Sequence, residues 1–238
     1  MTAPKTAMVM GAGLGKRMRP LTTTTPKPLV RISGKPLINY VFDHLERAGV
    51  HDVVVNVHYL ADALEAHLRS LKGRFDIRIS DERAQLMETG GGLVKAAPLI
   101  AEDNFFCINS DNIWVDGPTN SMTSLATRWD DARMDALLLL VPHARAFNHA
   151  GPGDFHLSAG GLVSRRRSRH VAPFIFTGIQ IMSKRLIEDA PEDPFSTNLL
   201  WNRAMAQGRL YGLVHDGIWF DVGTPEAIAP TEAMLLHG

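Results

Sequence analysis

The segment Gly11-Ala12-Gly13-Leu14-Gly15-Lys16-Arg17 constrains this chain more than any other, because it follows the apolar run of residues 7–10 directly. A short buried strand that runs into three glycines in five positions brings backbone N–H groups close to whatever sits at its end, with no Cβ in the way. Lys16, Arg17, Arg19 and Lys27 surround it with positive charge. The combination suits a triphosphate. Two commoner glycine patterns do not fit. A dinucleotide fingerprint needs glycine where Lys16 stands and an acidic residue about 20 positions on, and neither is present. A Walker A loop needs glycine in place of Met10 and Ser or Thr in place of Arg17.

Short apolar runs alternate with helical spacing along the rest of the chain. Residues 7–10, 52–57, 75–80, 105–109, 136–141 and 174–182 read as strands, whereas Leu37, Val41, Leu45 and Ala48, then Leu60, Leu64, Leu68 and Leu71, recur at helical intervals. Strand followed by helix, repeated, predicts an α/β fold with a mainly parallel central sheet flanked by helices. The pattern breaks over residues 150–170. There Gly151-Pro152-Gly153 reads as a turn, and Phe155-His156-Leu157 with Gly161-Leu162-Val163 as a small β-hairpin insertion, followed by the basic run Arg165-Arg166-Arg167 and Arg169. An amphipathic helix is predicted over residues 225–236. With no repeat and no low-complexity linker, residues 1–238 read as a single domain.

Composition narrows the partners. Lys and Arg number 25 against 25 Asp and Glu, so no net charge favours nucleic acid or an anionic membrane. No run approaches the roughly 20 apolar residues of a membrane span, and the N-terminus lacks the pattern of a secretion signal. Cys107, the one cysteine, sits in an apolar run and reads as core packing in a reducing compartment. A cytoplasmic location is the expectation; the oligomeric state is open. The ten histidines fall in no metal-binding spacing, and no GxSxG elbow is present.

Several blocks together resemble the sugar-1-phosphate nucleotidyltransferases, which join an NTP and a sugar phosphate into an NDP-sugar and pyrophosphate. They are residues 10–30, Glu88-Thr89-Gly90-Gly91-Gly92, Asn109-Ser110-Asp111, Gly153-Asp154-Phe155, Phe176-Thr177-Gly178-Ile179 and Trp219-Phe220-Asp221-Val222-Gly223-Thr224. Gly11 stands where the family usually has alanine, and Ser110 where it has glycine. The ETGGG and GDF blocks resemble the uridylyltransferase branch whose acceptor is a muramate sugar phosphate. Guanylyl transfer to mannose-1-phosphate, uridylyl or thymidylyl transfer to glucose-1-phosphate, and a non-catalytic regulatory subunit are the alternatives.

The resemblance implies a Rossmann-like nucleotidyltransferase fold and assigns roles by position. Gly11, Ala12, Gly13, Gly15, Lys16 and Arg17 would hold the triphosphate, with Arg17 on its β,γ-phosphates. Glu88, Thr89, Gly90 and Gly91 would read the base, the alternative being a plain helix start. Lys27, stiffened between Pro26 and Pro28, would meet the acceptor phosphate or the α-phosphate. Asn109 would bond a hydroxyl of the sugar or of the ribose, and Asp154, Thr177 and Gly178 would hold the acceptor sugar. Asp111 and Asp221 each end an apolar run, and two hard carboxylates beside a triphosphate suit Mg²⁺; turn aspartates are the other reading. A contact between Arg165 to Arg169 and an anionic group of the acceptor is a minority reading beside a solvated loop.

Overall fold

The computed structural model describes residues 3–237, so Met1, Thr2 and Gly238 of the expected 1–238 unit lie outside the described residues. The chain opens with β1 (Thr6–Met10), the short strands β2 (Arg31–Ile32) and β3 (Lys35–Pro36), and helix α1 (Leu37–Arg47). It continues through β4 (Asp52–Val57), α2 (Ala61–Arg69), β5 (Asp76–Asp81), α3 (Glu88–Ala96), β6 (Asn104–Asn109), β7 (Ile113–Val115) and α4 (Ser121–Arg128). The second half holds β8 (Ala136–Pro142), β9 (Ala146–Phe147), β10 (Phe155–Leu157), β11 (Val163–Arg165), β12 (Phe174–Ser183), α5 (Asn198–Ala206), β13 (Leu210–Val214), β14 (Ile218–Phe220) and α6 (Ile228–His237).

The main sheet runs β5, β4, β1, β6, β12, β8, β13, and every one of these except β12 points the same way. Burial on both faces explains the continuous apolar runs. Along β1, Ala7 and Val9 face one core with Val53, Val55, Phe106 and the inner sides of α1, α2 and α4. Met8 between them faces the other, with Val54, Phe105, Cys107, α3 and α5. Burial pushes the Cys107 thiol up to about 12, consistent with a packing role. The predicted strands are present to within one residue at most ends.

Differences from expectation have local causes. The hairpin pairs residues 155–157 with 163–165, two residues later than predicted, because Gly161 at φ +87° belongs to the turn. The ETGGG glycines lie inside the first turns of α3. Glycine is a poor helix former, but here it is demanded by packing: a Cβ on Gly90 would collide with the Phe195 ring. A separate small sheet, β7–β14–β9, was not legible as such and carries the chain to Asp221. The terminal helix begins as a 3₁₀ turn and packs Ile228, Met234 and Leu235 on a third cluster around Met18, Ile113 and Phe220.

Away from the strand ends, His44 is 5% exposed and stacked on Trp114, with ring centroids 3.7 Å apart. Burial pushes its pKa down to about 4, against the upward pull of Asp116. The folded protein therefore resists a proton that the unfolded chain accepts below about pH 6.5. Stability present above that pH is lost as pH falls toward 4, on the order of 3 kcal/mol for this group. Urea unfolding at pH 7.5 and 4.5 should show a smaller pH-dependent loss in His44→Phe than in the parent. Equal losses would contradict this role for His44.

Candidate active site

Parallel strands release their chains at a common edge, where ligands bind in open α/β sheets. At the end of β1, Gly11 donates its N–H to Asn56 Oδ1 at 2.7 Å, and a Cβ built on it would stand 2.8 Å from the Asn56 carbonyl oxygen. Alanine, usual in the family, has no room here. Gly15 adopts φ +60°, and its carbonyl accepts from Thr22 Oγ1 at 2.8 Å, so the loop folds back with Lys27 beside it. Gly13 differs from both. Among the described residues, its chain neighbours aside, no atom lies within 4 Å of where its Cβ would be.

Two cavities open at this edge. The larger, about 420 Å³, lies between Gly11, Ala12 and Gly13 on one side and Leu86, Glu88, Thr89 and Ser196 on the other. The smaller, about 190 Å³, is bounded by Arg17, Asn112, His149, Asp154, Thr177, Gly178 and Asp221. Lys27, Asn109 and Asp111 line both. Lys27 forms an ion pair with Asp111 at this junction.

The expected residues divide between the cavities in a definite way. Glu88, at φ +58°, and Thr89 face the larger one. Gly90 and Gly91 are buried behind them, and their N–H groups donate to the Phe195 carbonyl at 2.7 and 3.2 Å. They lie behind the lining residues of that wall rather than among them. Gly11 likewise spends its N–H on Asn56. Lys16 is exposed and lines neither cavity; Arg17 faces the smaller, close enough to Asp221 that a Cβ on Gly223 would stand 2.9 Å from a nitrogen of one and an oxygen of the other.

In the smaller cavity, β12 slips register against β8 between Phe176 and Gln180, and Thr177 and Gly178 sit in that irregularity. Thr177 Oγ1 donates to the Leu139 carbonyl at 2.8 Å, so this side chain anchors the strand. Asp154 Oδ2 accepts from the Phe176 N–H at 2.9 Å. His149 Nδ1 donates to Asp221 Oδ2 at 3.1 Å. Two members of the basic run are committed elsewhere: Arg165 bonds Asn202 and Asn198, and Arg166 bonds the carbonyls of Gly153 and His170. No residue of 165–169 is among those that bound the smaller cavity.

A model of the nucleotidyl transferase family matches residues 6–148. The chain belongs to this family. The N-acetylmuramate alpha-1-phosphate uridylyltransferase of Caulobacter vibrioides is 43% identical over 236 residues, covering 98% of each chain. The enzyme of the same name from Neisseria meningitidis is 32% identical, covering 96% of this chain and 97% of its own. HddC from Yersinia pseudotuberculosis, solved with GMP-PN, superposes with a TM-score of 0.77 at 24% identity, covering 97% of this chain and 99% of its own, and shows the shared fold.

Sequence reasoning missed one polar group of this nucleotidyltransferase. Asn112 is 4% exposed; its Oδ1 accepts from Trp219 Nε1 at 3.3 Å, which fixes the amide's orientation. Its Nδ2 has no partner among the described residues. A Cβ on Gly178 would stand 2.7 Å from that nitrogen and 2.6 Å from Asn109 Nδ2. One asparagine beside an aspartate carries no signal of this kind in sequence, because the orphaned donor exists only once β14 is in place.

The glycines make contrasting variants. Gly178 has φ +80°, so Gly178→Ala adds backbone strain of about 1–3 kcal/mol to the crowding of both carboxamides. Urea unfolding should show a loss of that size. Gly13→Ala should stay within ~0.5 kcal/mol of the parent. Equal midpoints for the two variants would contradict the packing described.

Proposed function

We propose that the chain transfers a uridylyl group from UTP to N-acetylmuramate-1-phosphate, releasing pyrophosphate, with residues 1–238 acting as one catalytic domain. The observation that carries this reading is the pair of cavities meeting at Lys27, Asn109 and Asp111. A bisubstrate transfer needs two sites and one junction. The choice of UTP and a muramate acceptor rests on the activity of the two relatives. A cytoplasmic setting and a part in cell-wall sugar recycling belong to the same proposal.

The nucleotide would occupy the larger cavity, its phosphates passing Gly13, whose missing Cβ no protein contact explains. The sugar would occupy the smaller, with its oxygens meeting Asn112 Nδ2, Asn109 and the free oxygen of Asp154. Lys27 would meet phosphate at the junction. Arg17, exposed beside Asp221, would take the departing β,γ-phosphates as a fork.

Asp111 and Asp221 fit Mg²⁺ by chemistry. Both are hard oxygen donors on one cavity, each with one oxygen already held, by Lys27 and by His149. Among the described residues no third His, Cys, Asp or Glu joins them in a metal-binding group, so phosphate oxygens and water would complete an octahedron. When bound, the ion would draw charge off the phosphates and align them.

The attacking phosphate monoester has a second pKa near ~6 and arrives largely dianionic at neutral pH, so it needs no general base. What the protein must supply is position and positive charge. Lys27→Ala should therefore lower kcat/KM by about 30- to 1000-fold, the equivalent of losing a preorganised donor worth ~2–4 kcal/mol. A fall below about threefold would make Lys27 merely the counterion of Asp111.

The substrate reading is tested by pyrophosphate release over a matrix of UTP, GTP and dTTP with the 1-phosphates of N-acetylmuramate, N-acetylglucosamine, glucose and mannose. The highest kcat/KM should fall on UTP with N-acetylmuramate-1-phosphate. A maximum at GTP with mannose-1-phosphate would overturn the substrates and spare the class; no turnover with any pair would favour a binding subunit.

A further inference from the structure

Glu82 is fully buried, yet no Lys, Arg or His side chain pairs with it among the described residues. Its oxygens are satisfied by two N–H groups instead. Asn56 Nδ2 donates to Oε1 at 2.7 Å, and the Met87 N–H donates to Oε2 at 3.0 Å. The other end of the Asn56 amide, Oδ1, accepts from Gly11 at 2.7 Å. Gly92 leaves room for the contact: a Cβ there would stand 2.8 Å from Glu82 Oε1 and 3.0 Å from Asn56 Nδ2.

We propose that Glu82 is a positioning residue for nucleotide binding, tying the two walls of the larger cavity together through Asn56. One wall begins at Gly11 and the other at Met87, next to Glu88 and Thr89. Both ends of the relay are backbone N–H groups, so each fixes a piece of main chain rather than a mobile side chain. The relay touches no group of the smaller cavity. It rests on the reading that the larger cavity takes the nucleotide.

Donor counting makes the relay unusually testable. Both terminal groups are donors, so the two side chains between them must together supply three acceptors and one donor. One carboxylate and one amide do so, whichever of the two positions holds the amide. Glu82→Gln sets one N–H against another however either amide is turned. Asn56→Asp sets two carboxylates against each other. The double variant Asn56→Asp/Glu82→Gln restores every bond with the direction of the middle one reversed: Gly11 N–H to Asp, Gln N–H to Asp, Met87 N–H to Gln.

The test is steady-state kinetics of each variant with both substrates, alongside thermal unfolding. Glu82→Gln should raise KM for the nucleotide by about 5- to 100-fold, the range expected when a buried bond is replaced by an unsatisfied donor. KM for the sugar phosphate and kcat should change less than about threefold. The double variant should recover nucleotide KM to within about fivefold of the parent. Should the single variants fail to fold, the double variant and Gly92→Ala decide, the latter by raising nucleotide KM selectively while remaining folded. Equal changes in both KM values, or a double variant no better than the singles, would overturn the proposal. Should another nucleotide prove the substrate, the same variants are read with that nucleotide, so the relay and the substrate assignment fail separately.

Discussion

An ion pair between Lys27 and Asp111 sits where the loop after β1 meets the chain leaving β6, and both cavities depend on it. A carboxylate brought this far out of water is costly without a partner, and so is an ammonium. Pairing them lets a partly buried edge hold charges of both signs. Around the pair the pattern repeats with Asp221, held by His149 and lying beside Arg17. Each of the two aspartates at this edge therefore already has a partner within the protein.

Backbone approach sets the shape of this edge. Gly11 lies against Asn56, Gly15 turns the loop back on Lys27, and Gly178 keeps clear of two carboxamides. Each is glycine for a contact within the protein. Gly13 meets none among the described residues, which leaves open space at that point of the loop.

Much of the fold was legible because the sheet is covered on both faces. β1, β4 and β6 are apolar through residues 7–10, 53–55 and 105–108, and the 3.6-residue spacing of Leu37, Val41 and Leu45 matches the buried side of α1. Lys27 between two prolines, and aspartates closing apolar runs, were visible as a pattern, and the structure places Lys27 and Asp111 together. Less legible were features decided by distant segments. Gly90 and Gly91 read as ligand contacts until Phe195, about a hundred residues on, takes their N–H groups. Arg165 and Arg166 read as a charged loop until α5 and the 153 turn give them partners. Glu82 and Asn112 draw their meaning from neighbours on other strands, which no local pattern encodes.

The most direct test is a crystal structure with the product UDP-N-acetylmuramate. The expected density places uracil between residues 11–13 and Glu88 with Thr89, the diphosphate across Lys27 and Asp111, and the sugar beside Gly178 with Asn112 Nδ2 within hydrogen-bond distance. A sugar lodged against residues 165–169, or a base in the smaller cavity, would contradict the two-cavity assignment.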